Sequence, residues 1–303
     1  MFTKQKSKLL GVTMLVLMMS VVTVQAKTLD TLNNEKIADN ISMVKAGGVK
    51  IYTFHGVSNS HIIETKNELR VIDAQLTLSS AKKLKAFIES LNKPLVEVLL
   101  SHNHPDHWFG SEIFASKTPI ATISSVKADL ARGGMRYIKI KNKNLKMKGD
   151  IPTQVIFPNK EIKLGVQKWD GLTVVVEEYD GHEAHHSMLI KIPSMGVIIG
   201  QDLFYNNMFL VASNRERNKK WRALLQDFSV DEAMYYKTLL VGHGENGDPS
   251  ILKQDIEYLD ELENILSNKL SLEETKKYLL KKFPNKGGKG MLEMSMKNLY
   301  SGH

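Results

Sequence analysis

The chain has no cysteine. That excludes disulfides, thiolate metal ligands and a lipidated cysteine at a processing site. Proline is sparse, with 8 in 303 residues, and no low-complexity linker or internal repeat divides the sequence. Acidic side chains are outnumbered only mildly, 33 against 41 basic, and the 7% of aromatics are not interleaved with basic clusters. A nucleic-acid surface is therefore not expected. Only one long uncharged apolar run exists, Leu9 to Val24, after Lys4, Lys6 and Lys8 and before Gln25-Ala26. At about 16 residues it falls short of the roughly 20 that span a bilayer. A positive start, an apolar centre and a small residue at the cut form a secretory signal pattern, with an uncleaved anchor as the alternative. We expect residues 1–26 to be removed. Residues 27–303 would then form a single exported domain, periplasmic or secreted, without stable membrane insertion. Without the three signal lysines the net charge falls from +8 to about +5, which suits solubility or weak attraction to anionic surfaces.

What is present is histidine in the right places. Ser101-His102-Asn103-His104-Pro105-Asp106-His107 follows the apolar run Val96 to Leu100, so four metal-ligand side chains stand where a buried strand opens into a loop. Alternate residues of an extended segment share a face. His102 and His104 can therefore converge on one ion, while Asp106 and His107, past the proline bend, aim elsewhere. The pattern recurs. Gly181-His182-Glu183-Ala184-His185-His186-Ser187 joins two strands, Asp202 follows the strand Val197 to Ile199, and Gly242-His243-Gly244 follows Leu239 to Val241. Seven of the 10 histidines lie in these clusters. His55, His61 and His303 are assigned to structure or the chain end. Asp73, at the end of Leu69 to Ala74, is read as either a partner for a metal-bound histidine or a cap.

The remaining segments supply a scaffold. Val49 to Phe54, His61 to Glu64 and Leu69 to Ala74 read as hairpin strands. A helix capped by Ser79 or Ser80 runs to Leu91, giving a strand-helix-strand unit with ligands at the second strand's exit. Residues 124–150 are rich in lysine and arginine. Gly133-Gly134 is expected to interrupt a helix there, leaving either a mobile flap or an amphipathic insertion. After Asp248-Pro249 come outer helices, about 249–303, one opened by a capping box at Ser271 and Glu274.

His102-Asn103-His104-Pro105-Asp106-His107, Asp202 and His243, in that order and each after a strand, resemble the metallo-β-lactamase superfamily. The resemblance covers roughly residues 45–265. It implies an α/β, four-layer αββα sandwich with a metal site at one edge. It also implies that His102 and His104 bind a first ion, that Asp106, His107 and His243 bind a second, and that Asp202 bridges them. Where many members place a further histidine, this chain has Glu183; His182, His185 or His186 could serve instead after a small loop shift. The cofactor expected is two divalent ions, zinc first, with manganese or iron also admitted by a carboxylate ligand. Such ions lower the proton affinity of water so that it attacks a small carbonyl substrate: an ester, lactone, thioester or cyclic amide. Asp106 is the expected proton handler. Tyr205 could assist as an oxyanion donor or serve packing, and Asn206 could assist the oxyanion. Alternatives on the same fold are β-lactam hydrolysis, an iron-dependent redox enzyme and a catalytically silent metal-binding protein. The expected partner is a small-molecule substrate. Oligomeric state is not legible.

Overall fold

The computed structural model describes residues 32–143 and 147–300. The signal pattern of residues 1–26, part of the basic stretch and His303 lie outside them. Strands β1 (Glu35–Ala38), β2 (Ile41–Ala46), β3 (Val49–Phe54), β4 (Ser60–Glu64) and β5 (Leu69–Ile72) form an antiparallel meander. Helix α1 (Leu78–Ser90) then crosses to β6 (Leu95–Leu99), which pairs parallel to β5. After α2 (Pro105–Trp108) and a 3-10 turn (Phe109–Ile113), β7 (Ile120–Thr122), α3 (Ser124–Lys141) and β8 (Lys160–Glu161) complete an eight-stranded sheet.

The second sheet holds β9 (Gly165–Trp169), β10 (Leu172–Asp180), β11 (His186–Ile192), β12 (Val197–Tyr205) and β13 (Thr238–His243). Their spatial order is β13-β12-β11-β10-β9. Helix α4 (Arg215–Asp227) lies between β12 and β13 in sequence, and α5 (Ser250–Ser267), α6 (Leu272–Lys282) and α7 (Lys289–Tyr300) follow.

Strand alternation sorts the core into layers. Ile190, Ile192, Val197, Ile199 and Leu240 face the first sheet and join one apolar cluster with Ile51, Ile62, Val98, and Leu84 of α1 and Leu130 of α3. Their chain neighbours Leu189, Ile198, Leu239 and Val241 face the other way, packing with Trp221 and Leu225 of α4 and Leu252 and Leu259 of α5. Helices cover the outer faces, so these strands are apolar on both sides and read as continuous hydrophobic runs. Each fully buried Leu or Ile contributes about 1.5–3 kcal/mol. The result is the αββα sandwich. Among the described residues no helix is long and apolar enough to cross a membrane.

Local details differ from expectation. Thr77, not Ser79 or Ser80, caps α1 by accepting from Ser80 N at 3.2 Å, because Asp150 takes the Ser79 N–H and hydroxyl. Helix α3 runs unbroken through Gly133-Gly134. Tertiary packing overrides propensity there: a Cβ at Gly134 would stand 2.7 Å from Val155 Cγ2, so glycine lets the helix sit close. Helix α4 occupies a segment not read as helical, whereas α7 falls within the outer helices expected over about 249–303. In α4 only Asn218, Trp221 and Leu225 form a buried stripe, amid charged residues that mask its period.

Candidate metal centre

The ligand edge of the sandwich is assembled by backbone. Met188 N donates to Ser101 O at 2.8 Å and Asn59 N donates to Gly242 O at 2.8 Å, so the two sheets are joined where the histidines emerge. After β6, Pro105 at the first position of α2 sets the turn. That turn presents His102 and His104 on the approach and Asp106 and His107 on the helix. Asp202 lies in β12 just past an irregularity in its pairing with β13, and Gln201 there holds a positive φ of 46°. This local strain turns the carboxylate into the cluster. Gly242 makes room for it, since a Cβ at that position would overlap Asp202 Oδ1.

The side chains converge on a shared volume. His102 Nε2 and His104 Nδ1 are 3.1 Å apart. His104 Nδ1 lies 2.8 Å from Glu183 Oε2, and His102 Nε2 lies 4.0 Å from the same oxygen. Asp202 Oδ2 is 3.6 Å from His102 Nε2 and 3.3 Å from His243 Nε2, while its Oδ1 is 3.2 Å from His107 Nε2. Asp106 Oδ2 completes the second set at 3.6 Å from His107 Nε2 and 3.5 Å from His243 Nε2. One group is thus His102, His104, Glu183 and Asp202, and another is Asp106, His107 and His243. Asp202 stands between them.

The far sides of the imidazoles set their tautomers. His107 Nδ1 donates to Asp73 Oδ2 at 2.6 Å and His243 Nδ1 donates to Val57 O at 2.8 Å. Ser101 gives its one hydroxyl proton to Asp73 Oδ2 at 2.6 Å, so it accepts from His102 Nδ1 at 2.9 Å. When neutral, all three rings therefore turn an Nε2 lone pair toward the cluster, the state a cation needs. Asp73, at a backbone φ of 65°, takes the first of the two roles its strand-end position left open, holding the far side of a cluster histidine.

The chemistry of these donors fits divalent cations. His107 Nε2, Glu183 Oε2 and Asp202 Oδ1 are buried without a hydrogen-bond partner, although each faces the shared volume. Unpaired buried polar atoms are costly. Four carboxylates, Asp73, Asp106, Glu183 and Asp202, crowd this volume, and two divalent ions would balance their charge. The field is strong. Burial opposes ionisation of His107, yet Asp202, Asp106 and Asp73 together hold its pKa well above the ordinary imidazole value. Burial likewise opposes the Asp202 anion, but His107, His243 and His102 pull it well below the usual carboxylate range.

Among the loop alternatives, geometry favours Glu183. His182 is buried against Trp221, outside the ligand groups, with its pKa lowered to about 3 by burial and by Arg217. His185 is exposed, and His186 Nδ1 is held by Asp129 Oδ2 at 2.8 Å. Tyr205 is buried, donates to Asp202 Oδ2 at 3.2 Å and stacks on His243, so it orients a ligand. Asn206 instead donates to Glu245 O at 2.7 Å, fastening the loop after His243. His61 is structural: burial lowers its pKa to about 3, and Nε2 donates to Val241 O at 3.2 Å.

Sequence reasoning missed Ser101, Gln201, Tyr137 and Arg217. Gln201 Nε2 donates to Asp73 Oδ2 at 2.7 Å, Arg217 Nη2 donates to Glu183 O at 3.0 Å, and the Tyr137 ring stands edge-on to His104 at 6.0 Å. None is itself a metal-ligand side chain in the clusters, and only the positions of Ser101 beside His102 and of Gln201 beside Asp202 hinted at their roles.

Solved structures with this fold include a metallo-β-lactamase from Pontibacter korlensis, 18% identical with a TM-score of 0.55, covering 76% of this chain and 99% of that one. Another is the stereoselective inverting sec-alkylsulfatase Pisa1 from Pseudomonas sp., 18% identical with a TM-score of 0.57, covering 78% and 44% respectively. No curated protein sequence matches the chain. The metallo-beta-lactamase superfamily profile matches residues 54–243, the span that carries every ligand position described above, and the chain belongs to that superfamily of metallo-hydrolase fold.

Proposed function

We propose that this protein is an exported hydrolase that holds two divalent ions, zinc first, and cleaves a small carbonyl substrate such as an ester, lactone, thioester or cyclic amide. The observation that carries the reading is Asp202, whose two oxygens address two separate histidine sets at 3.2–3.6 Å. When bound, such ions supply a nucleophilic water at neutral pH and polarise the scissile carbonyl. His102, His104, Glu183 and Asp202 would hold one ion, and Asp106, His107, His243 and Asp202 the other.

The chain's own groups then divide the work. Asp106 is 20% exposed at its side chain, against 3% for Asp202 and 5% for Glu183. It sits on the open side and is the carboxylate placed to exchange a proton with solvent and with a leaving group. Tyr205 and Asp73 hold Asp202 and His107 in place. Glu183 makes the first site harder than an all-imidazole site, which also admits manganese or iron. Export rests on the signal pattern of residues 1–26.

Elemental analysis of the mature protein tests this, paired with a panel of a lactone, a thioester, a chromogenic cephalosporin and, since Pisa1 shares the fold, an alkyl sulfate. Near two zinc ions per chain, with turnover lost in Asp202→Ala, supports the proposal. Native iron moves the reading to redox chemistry, and full occupancy without hydrolysis moves it to a silent metal-binding protein.

A further inference from the structure

Beside the metal centre runs a groove of about 450 Å³, lined on one side by the face of α3 that carries Arg132, Gly133, Arg136, Tyr137 and Ile140. Its far end reaches Asn298 of α7. The size suits a small organic molecule. Two lining residues connect it to the ligands: Asn103 lies between His102 and His104 in the chain, and the Tyr137 ring stands edge-on to that of His104.

Two features of this face lack a structural explanation. Arg132 is paired with Asp129, which also holds His186, but Arg136 has no ion-pair or hydrogen-bond partner among the described residues and is exposed. Gly133 sits inside a helix, where glycine costs about 1 kcal/mol relative to alanine. Unlike Gly134 it is not pressed by neighbours: a Cβ there would meet Tyr137 Cε2 at 3.7 Å and Asn103 Nδ2 at 3.8 Å, ordinary contacts. Alanine would fit, but a longer side chain would fill the groove floor.

We propose that this groove is the substrate pocket and that it selects a substrate bearing an anionic group, such as a carboxylate or sulfate. Arg136 is the principal anchor and Arg132 the second, and the apolar part of the substrate lies over Tyr137 and Ile140. A guanidinium offers a planar fork that matches such anions. The missing side chain at Gly133 lets the substrate pass from Arg136 toward His104. This deepens the hydrolase reading and rests on it only for the bond cleaved.

The test compares the neutral ester 4-nitrophenyl butyrate with its anionic counterpart 4-nitrophenyl hemisuccinate, using the zinc-loaded protein. In the wild type the anionic ester is expected to have a KM about 10-fold lower, one charge-assisted contact's worth. Arg132→Gln/Arg136→Gln should raise that KM until the ratio approaches one, and added salt should do the same in the wild type. Gly133→Leu should raise KM for both esters, which a role in folding alone would not do while circular dichroism and zinc content stay intact. Equal KM values in the wild type, or a double variant that keeps the ratio, overturn the proposal.

If neither ester is hydrolysed, the hydrolase reading suffers, but the pocket is still judged by calorimetric titration with succinate. Binding by the wild type that is lost in the double variant supports the anion site. No binding by the wild type sinks it.

Discussion

His107 Nδ1 lies 2.6 Å from Asp73 Oδ2, and both side chains are completely buried. Asp73 also accepts from Ser101 N at 2.7 Å, from the Ser101 hydroxyl and from Gln201 Nε2, so four donors surround one carboxylate. Asn tolerates the positive φ of this position, but Asp73→Asn puts an NH2 among donors and removes the acceptor that orients His107. We expect metal affinity to fall about 10–100-fold, the usual effect of losing such a partner. Chelator competition measures it. An unchanged affinity would show that Asp73 serves packing alone.

Metal removal should cost stability. His107 Nε2, Glu183 Oε2 and Asp202 Oδ1 are buried side by side with no hydrogen bond. A ligand at 1,000 times its Kd stabilises by about 4 kcal/mol. For a domain of this size that corresponds to roughly 10 °C in Tm. Thermal melts after dialysis against chelator, then after zinc is restored, should show a reversible drop. Coincident curves would argue that no ion is held by the folded state.

Asp255 gives a pH signature independent of the metals. It is buried on α5, accepts the Tyr205 N–H at 2.9 Å, and burial raises its pKa to about 8. A carboxyl with a raised pKa keeps its proton in the folded protein while the unfolded chain loses it near pH 4. Its contribution is therefore full below about pH 4 and is lost as the pH rises through about 8. Asp255→Asn keeps an acceptor and cannot ionise. The variant should match the wild type near pH 4 and gain on it by up to about 1.4 kcal/mol per pH unit toward pH 8. Parallel urea midpoints across that range would refute the buried proton.

The adjacent glycines of α3 should behave oppositely. Gly134→Ala drives a methyl to 2.7 Å from Val155 Cγ2, and overpacking of this kind costs about 1–3 kcal/mol. Gly133→Ala has space and should stabilise by about 0.4–1 kcal/mol through helix propensity and a less flexible unfolded chain. Urea denaturation of the pair decides it, and equal shifts would contradict the packing described.

The sequence by itself made most of the candidate ligands legible. Histidine and carboxylate at strand exits are rare enough, and spaced closely enough, that His102, His104, Asp106, His107, Asp202 and His243 stood out, as did the strands before them and the capping box at Ser271 and Glu274. Strand periodicity and metal-ligand chemistry are local, and local signals survive in one dimension. What only tertiary structure decided are the non-local matters. That Glu183 rather than His182 meets His104 depends on how the β10–β11 loop lies against α4, through Arg217 and Trp221. That Ser101, Gln201 and Tyr205 orient ligands depends on a strand irregularity and on hydrogen bonds between strands far apart in sequence. That Gly133-Gly134 continues a helix depends on Val155, whose packing repays a backbone preference the two glycines would otherwise lose.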